Sequence, residues 1–278
     1  IDRGLVGSEM CIRDSGGPGA QQDALRAVID QSDVPYLDVV ARTENYGVGR
    51  QLISARREIL DERGYDRMVL VEDDIELNST YLTALLRLSD WAEAYNDIGT
   101  VQVWNVEKGT KEELEPHMND VELTNRHFVT YCLSKRVWNQ IKGTLYDYEQ
   151  RYLLKRAYGQ RPHYRIRWFI RNQLKKGRNE PQGPRLDPPK EAVHNPFPTV
   201  KWRSTPTSQD AITSLALYLA GLHRLTTRVP HAHYYGVEGF IAHLRCTNSW
   251  GSTIRAGGVG TKLPRPLRCD TRTKTVSG

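Results

Sequence analysis

A short apolar segment, residues 67–71, constrains the fold more than any other feature because it runs directly into three carboxylates, Glu72, Asp73 and Asp74. Near-continuous apolar runs of this length are typical of strands that are buried on both faces of a parallel sheet. The three acidic residues then stand where the strand leaves the sheet. Open α/β sheets bind their ligands at that edge. The sequence therefore predicts a polar site at the end of a buried strand.

The surrounding periodicity predicts a doubly wound α/β core with a mostly parallel sheet. Apolar residues alternate between helical spacing and short strand-like runs, and this alternation is typical of helices packed on a parallel sheet. The predicted order is helix 20–31, strand 36–41, helix 47–63, strand 67–71, helix 79–94 and strand 98–104.

The second half of the chain is less regular. A strand is predicted at 127–133, with helices near 135–142 and 146–157. Most prolines fall between 159 and 208, which indicates a long irregular loop or lid. A helix at 209–222, with Ser208 as its N-cap, and a strand at 225–229 follow. The Gly-, Arg- and Thr-rich residues 245–278 are expected to form a poorly ordered tail.

Residues 1–15 resemble translated sequencing-adapter sequence that recurs at the ends of metagenomic gene models. We therefore expect a non-native leader at 1–15, a chain whose true start is missing, and a single domain over 16–244. An ordinary flexible leader is the alternative.

Bulk properties narrow the function only broadly. The net charge of +6 favours anionic partners such as nucleotide diphosphates. The four cysteines are far apart and form no CxxC pair, so neither a zinc ribbon nor a disulfide framework is indicated, and a reducing, cytoplasmic location is expected. The longest apolar run, 211–222, is shorter than the roughly 20 residues that cross a bilayer.

The three consecutive carboxylates require compensation, because like charges this close repel each other. Mg²⁺ or Mn²⁺ is the natural compensator, since both prefer oxygen ligands and bridge carboxylates to phosphates. A solvated acidic turn is the alternative interpretation.

The segment around Glu72-Asp73-Asp74 resembles the DxD region of GT-A glycosyltransferases, in the Glu-Asp-Asp form of the family 2-like and N-acetylglucosaminyltransferase-like members. Upstream, the segment Asn45-Tyr46-Gly47-Val48-Gly49-Arg50, followed by Ala55-Arg56, is similar to the Asn-x-Gly segment that precedes the DxD strand in those enzymes.

The resemblance implies roles for several residues. Asp74 would bind the metal directly, Glu72 would face the donor ribose or a metal-bound water, and Asp73 would help to hold the turn. Asn45 and Gly47 would belong to the donor-binding segment. In this fold the first strand and its following loop help to bind the nucleotide base, and here that strand would lie in, or be replaced by, residues 1–15.

Asp210 opens a predicted helix after the long loop, where the helix dipole favours an ionised carboxylate. Inverting GT-A enzymes place their catalytic base similarly, so the resemblance implies that Asp210 takes the proton from an acceptor hydroxyl. A simple capping aspartate is the alternative.

His231 and His233 are two residues apart at a predicted strand end, so they would point to the same side and both reach one ion. The resemblance implies that one of them completes the metal shell. Two ordinary surface histidines, or a zinc site formed with Glu238 or His243, are the alternatives; a zinc hydrolase would leave the acidic run unexplained.

The stretch 151–178 contains ten Lys or Arg residues and no Asp or Glu, and aromatic residues are interleaved with them. This composition suits stacking and phosphate contact. It predicts a lid or acceptor site for a transferase, a nucleic-acid surface, or simply a solvated basic face.

Together these features predict a metal-dependent GT-A glycosyltransferase that moves a sugar from a UDP- or GDP-type donor to a hydroxyl of a glycan, lipid or protein, with inversion. Two alternatives stay open. One is a sugar nucleotidyltransferase, although Gly16-Gly17-Pro18-Gly19 lacks the basic residue of its phosphate loop. The other is a non-catalytic nucleic-acid-binding protein, which would not need Glu72, Asp73 and Asp74; we regard nucleic acid as the weaker partner.

Overall fold

The structure is a computed structural model that describes residues 10–14, 27, 30–31, 37–41, 44–72, 75–105, 109–124, 128–156, 160–189, 192, 197 and 205–234. The expected tail at 245–278 lies outside these residues. So do Asp73, Asp74, Glu238 and His243, and most of the helix expected at 20–31.

The elements follow one another as a mixed α/β chain. The strands are β1 (Met10–Asp14), β2 (Leu37–Ala41), β3 (Arg67–Leu70), β4 (Ile75–Leu77), β5 (Ile98–Gln102), β6 (Val121–Leu123), β7 (Tyr131–Ser134), β8 (His223–Thr227) and β9 (Ala232–Tyr234). The helices are α1 (Gly47–Arg56), which continues as a π-helix (Arg57–Glu62), α2 (Tyr81–Ala92), α3 (Lys111–Leu114), which continues as a 3₁₀ turn (Glu115–His117), α4 (Lys135–Tyr152), α5 (His163–Leu174) and α6 (Gln209–Leu219).

The described residues place β3, β7, β5, β8 and β6, in that order, in one sheet. Two smaller sheets pair β1 with β2 in parallel and β4 with β9 antiparallel. Strand β1 lies within residues 1–15, the expected non-native leader. Its pairing with β2 does not test that expectation.

The expectation of a mostly parallel sheet is wrong. Among the described strands of the main sheet, only β5 and β8 pair in parallel; β3–β7, β7–β5 and β8–β6 are antiparallel. Strands β3, β5 and β8 do share one direction, because both β3 and β5 are antiparallel to β7. The sheet is not mostly parallel because β7 lies between β3 and β5 and runs in the opposite direction.

Helices cover both faces of the main sheet. On one face, α1, α4, α5 and α6 pack against Tyr131 and Leu133 of β7, in a core that includes Trp138 and Leu215. On the other face, α2 packs against β5 and against Cys132 of β7. Successive residues of β7 therefore enter opposite cores, as a strand requires.

Two boundaries differ from the sequence expectation. Residues 135–152 form one helix rather than two, because Val137, Trp138, Ile141 and Leu145 keep a continuous buried face. The long loop expected over 159–208 is also corrected, since it contains α5. Helix α5 contains no proline. Pro162 lies directly before it, and the next proline in the chain is Pro181.

Candidate functional site

The predicted acidic site lies at the edge where β3, β5 and β8 end. Glu72 is half-buried and lies two residues beyond the end of β3. After Asp73 and Asp74, which lie outside the described residues, the chain enters β4, and β4 pairs with β9. Because β9 follows β8, the C-terminal side of β8 returns to the segment that carries the acidic motif.

The Asn-x-Gly segment forms the start of α1. The Asn45 Oδ1 atom accepts the Gly47 backbone N–H at 2.8 Å, and Gly47 has a positive φ of 64°. Gly47 must adopt a conformation that side chains disfavour, so Asn45 and Gly47 shape the turn that begins the helix. One helical turn later, on the same face, the Gln51 side chain is 7% exposed and its amide has no partner among the described residues.

Asp210 is exposed in the first turn of α6. The cap of this helix is Ser208, as expected, since its Oγ accepts the Ala211 backbone N–H at 3.2 Å. Ser208, and not Asp210, is therefore the N-cap residue of α6.

Behind Asp210 lies a set of polar side chains that we call the inner cluster: Arg56, Tyr131, Gln209 and Thr213. Arg56 is fully buried, donates to Thr213 Oγ1 at 3.2 Å, and also donates to the Tyr131 hydroxyl. A guanidinium only donates, so it must face the oxygen of the Gln209 amide rather than its nitrogen.

In that orientation the inner cluster connects directly to Asp210. The Gln209 oxygen accepts from both terminal nitrogens of Arg56 at 2.7 and 2.9 Å, and its nitrogen donates to Asp210 Oδ1 at 2.8 Å. A chain of hydrogen bonds thus runs from a buried cation to an exposed carboxylate and fixes the orientation of that carboxylate.

Tyr131 lies between the two predicted carboxylates in the fold, because it pairs with Leu70, two residues before Glu72, and its hydroxyl accepts from Arg56 of the inner cluster. Burial raises the pKa of the Tyr131 phenol; the adjacent Arg56 opposes this rise, and the negative charges of Asp210 and Glu72 add to it. Glu72 at the end of β3 and Asp210 on α6 therefore both act on the same hydroxyl, although they are far apart in the sequence.

A second buried cation, Arg224, lies on the same side of the sheet. Its guanidinium carbon lies 3.5 Å from the centre of the Phe128 ring. Burial lowers the pKa of Arg224 to about 10, while Asp210 and Tyr131 partly restore it. Two arginines thus place positive charge beside the carboxylates.

The two histidines have different surroundings. His231 is 5% exposed, and its Nδ1 lies 3.1 Å from Thr80 Oγ1. His233 is exposed and pairs across β4–β9 with Glu76. The expectation that both side chains point to the same side and reach one ion stays a prediction, while burial sets His231 apart from an ordinary surface histidine.

The tautomer of His231 follows from its neighbours. Asn78 Oδ1 accepts the Thr80 backbone N–H at 3.1 Å, which identifies this atom as the oxygen, and it also accepts the Thr80 hydroxyl at 2.9 Å. The single hydroxyl hydrogen of Thr80 is then committed, so Thr80 accepts from His231 Nδ1–H. Burial lowers the pKa of His231. A neutral imidazole with its lone pair on Nε2 results, which is the form that binds metals.

Within the described ranges, no three His, Cys, Asp or Glu side chains come together as a metal-binding group. Asp73 and Asp74 are not among those residues. His231 nevertheless has the protonation state and the hydrogen-bonded support expected of a ligand, so the chemistry of this position fits a divalent cation.

Sequence reasoning did not identify Tyr131, Gln209, Thr213 or Arg224 as site residues. Tyr131 and Arg224 lie within short strands, where an aromatic or a single basic residue carries no local signal. The residues Ser208, Gln209 and Asp210 indicated where the helix starts. They did not indicate the contact of Gln209 with Arg56, because these two residues are 153 positions apart (209 − 56) in the chain.

No model of a known protein family matches this chain, and a search of curated proteins finds no match. In the part of the chain that the structure describes, no helix has the length and apolar character needed to cross a membrane.

Proposed function

We propose that this chain is a metal-dependent glycosyltransferase with a GT-A domain, which transfers a sugar from a UDP- or GDP-type donor to an acceptor hydroxyl with inversion. The observation that carries the proposal is the set of contacts that links the two predicted carboxylates: Tyr131 pairs with Leu70, two residues before Glu72. Its hydroxyl accepts from Arg56, and Arg56 connects through Gln209 to Asp210. The sequence predicts a donor-side role for Glu72 and a catalytic role for Asp210, and a transferase needs both groups around one reaction centre.

Three features of α1 and β3 support donor binding at this edge. Asn45 and Gly47 form the turn that opens α1, and the acidic motif begins two residues after β3 ends. The buried amide of Gln51 has no partner among the described residues. An unpaired buried amide is costly, and a polar ligand beside α1 would satisfy it.

The inner cluster supports Asp210 as a general base. Gln209, whose oxygen accepts from Arg56, donates through its nitrogen to one carboxylate oxygen of Asp210. This hydrogen bond orients the exposed carboxylate. Asp210 takes the proton of the acceptor hydroxyl while that oxygen bonds to the anomeric carbon and the bond from this carbon to the diphosphate oxygen breaks. The diphosphate leaves with the electron pair, and basic groups nearby stabilise its charge.

A divalent cation, Mn²⁺ or Mg²⁺, would supply charge stabilisation for the diphosphate when bound. Asp74 and His231 are the residues we propose to hold it. His231 is preferred over His233 because Thr80 fixes its tautomer, whereas His233 lies exposed beside Glu76 on the β4–β9 ladder.

The proposal is tested by calorimetric titration of the purified chain with UDP, GDP and CDP, each with and without Mn²⁺. We expect metal-dependent binding of UDP or GDP. Asp74→Ala should weaken it by about a hundredfold and Glu72→Gln by about tenfold, in line with effects at metal-ligating and supporting residues.

The matched control is Asp66→Asn, which removes one negative charge from an exposed residue next to the opposite end of β3. It should leave nucleotide affinity unchanged. Nucleotide binding by folded Asp74→Ala protein at wild-type strength, or equal losses in Asp66→Asn and Glu72→Gln, would remove the basis of the site assignment.

A further inference from the structure

An open groove runs along α5 and the end of α4, outside the acidic site. Its volume is about 460 Å³, within the range of roughly 300–1,000 Å³ for small-ligand sites. Its lining residues combine rings, cations and planar polar groups, and they are Asp147, Arg151, Tyr152, Arg165, Trp168, Phe169, Asn172, Gln173 and Lys176. We call this surface the α5 groove.

The aromatic side chains give the groove a platform for a ring. Trp168 is 40% exposed, while the adjacent Phe169 is buried at 5%. Phe169 and Tyr152 meet edge to face, with ring centres 5.8 Å apart, and Tyr152 donates to the Arg165 carbonyl at 3.4 Å. The wall is therefore fixed by packing, and its exposed indole is the surface on which the C–H face of a sugar stacks.

The polar lining selects among ligands. Asn172 and Gln173 each carry both a donor and an acceptor, which match neighbouring sugar hydroxyls. Three cations, Arg151, Arg165 and Lys176, outnumber one carboxylate, Asp147, for a net charge of +2. Arg151 already donates to Asp147, so Arg165 is the lining guanidinium that can pair with a ligand carboxylate. Together with Lys176 it favours a saccharide that carries carboxylates.

The groove starts beside the candidate site. His163, the first residue of α5, has its Nδ1 2.6 Å from Thr207 Oγ1, and Thr207 precedes the Ser208 cap of the helix that carries Asp210. Trp168 lies five residues further along α5, about 7.5 Å at helical rise. The α5 residues of the groove nevertheless face away from His163 around the helix, so the nearest link to the site is the end of α4. A Cβ on Gly49 would lie 3.3 Å from Leu153, which follows Tyr152, and 3.4 Å from Gln209, which precedes Asp210.

We infer that the α5 groove binds an acidic oligosaccharide of the uronic-acid type, as the extended part of the acceptor. The role of this saccharide as the acceptor rests on the proposed transferase function. The binding itself depends only on the groove.

The test is calorimetric titration with short galacturonic-acid oligomers, neutral glucose oligomers of the same length, and single-stranded DNA of matched charge. We expect the uronic-acid oligomers to bind on the order of tenfold more tightly than either of the others. Trp168→Ala should weaken their binding by about tenfold and Lys176→Ala by about threefold.

Lys175→Ala is the matched control, because Lys175 is exposed and adjacent to Lys176 but does not line the groove. Its affinity for the oligomers should equal that of the wild type. Equal losses in both lysine variants, absence of oligomer binding by folded protein, or tighter binding of DNA would each overturn the inference.

The nucleotide titration separates this inference from the proposed function. Metal-dependent nucleotide binding without oligomer binding removes the groove assignment alone. Oligomer binding that is lost in Trp168→Ala, in a chain that binds no nucleotide, supports the groove and removes the transferase.

Discussion

Buried charged side chains lie at both ends of the strands of the main sheet, but their hydrogen bonds lead to different kinds of partner. At the edge where β5 begins, Asp97 accepts the backbone N–H groups of Leu186 and Asp187 at 2.8 and 3.0 Å. At the edge where β3 ends, buried Arg56 connects through Gln209 to the exposed carboxylate of Asp210.

Further contacts at the first edge have the same character. Arg178 donates to the Gly221 carbonyl at 3.1 Å, and Asn179 N–H donates to the Leu219 carbonyl at 2.8 Å. Gly221 has a φ of 75°, and a side chain there would collide with the Asn179 carbonyl. These bonds hold the segment after α5 against the sheet.

The difference teaches how to interpret buried charge. A buried charge whose hydrogen bonds end on backbone groups fastens the chain. A buried charge whose hydrogen bonds end on an exposed ionisable side chain positions that group for chemistry. We therefore expect substitutions at the first edge to change stability alone. At the second edge, loss of the buried cation should change stability, and loss of the exposed carboxylate should change function.

The largest expected effect is that of Asp210→Asn on transfer. Asparagine keeps the oxygen that accepts from Gln209 but cannot take a proton, so the rate of transfer should fall by about 10²–10⁴-fold, as for loss of a general base. Nucleotide affinity and the free energy of unfolding should stay near their wild-type values. Release of the nucleoside diphosphate from the donor identified by titration, with an acceptor saccharide present, measures the rate.

Asp97→Asn provides the matched comparison at the other edge. Asp97 holds two backbone N–H groups, and an amide offers one oxygen in place of two, so we expect a loss of roughly 1–3 kcal/mol in unfolding free energy. Its transfer rate should match the wild type. Equal transfer rates in Asp210→Asn and wild-type protein would contradict the assignment of the base.

The next largest effect is that of Arg56→Met on stability. The replacement has a similar length but no donors, so Tyr131, Gln209 and Thr213 lose a shared partner inside the protein. Each buried polar group left without its partner costs about 1–3 kcal/mol. Denaturant unfolding measures this loss.

Arg165→Met serves as the control for Arg56→Met, because Arg165 is exposed on α5. It should change the unfolding free energy by no more than about 0.5 kcal/mol. If both variants lose the same stability, the inner cluster is not a network that depends on Arg56.

The sequence predicted the elements whose signals are local. Helices α1, α2 and α6, the Ser208 cap and strands β2, β3 and β5 follow from apolar spacing and capping chemistry over a few residues. Helix α5 also carried such a signal, Ile166, Phe169 and Ile170 at helical spacing, but its basic and aromatic composition and the later prolines favoured a loop.

The sequence did not predict the features that depend on distant residues. The direction of β7 depends on which strands flank it, and periodicity is the same for either direction. The contact of Arg56 with Tyr131 and Gln209 depends on how three elements pack. The acidic motif and Asp210 could be proposed from their own neighbours, but the contacts that link Glu72 and Asp210 through Tyr131 and Arg56 required the fold.

The last expected effect is a pH dependence at the first edge, due to His223. Its Nε2 accepts from Arg178 at 3.2 Å, and burial, followed by the charge of Arg178, lowers the His223 pKa from 6.5 to about 4, while Asp97 opposes the shift. Between these two values the unfolded chain binds a proton that the native protein does not, so the unfolding free energy falls as the pH falls.

This contribution is fully present above about pH 6.5, is lost progressively down to about pH 4, and amounts to about 3 kcal/mol. His223→Asn removes the imidazole and keeps the neighbouring carboxylates Asp97, Glu180 and Asp187. The unfolding free energy of this variant should therefore change less over this window than that of the wild type. Urea unfolding at several pH values measures the two slopes. Parallel slopes would contradict the role of His223, whereas a flatter slope with unchanged nucleotide affinity at neutral pH would show that the two edges act independently.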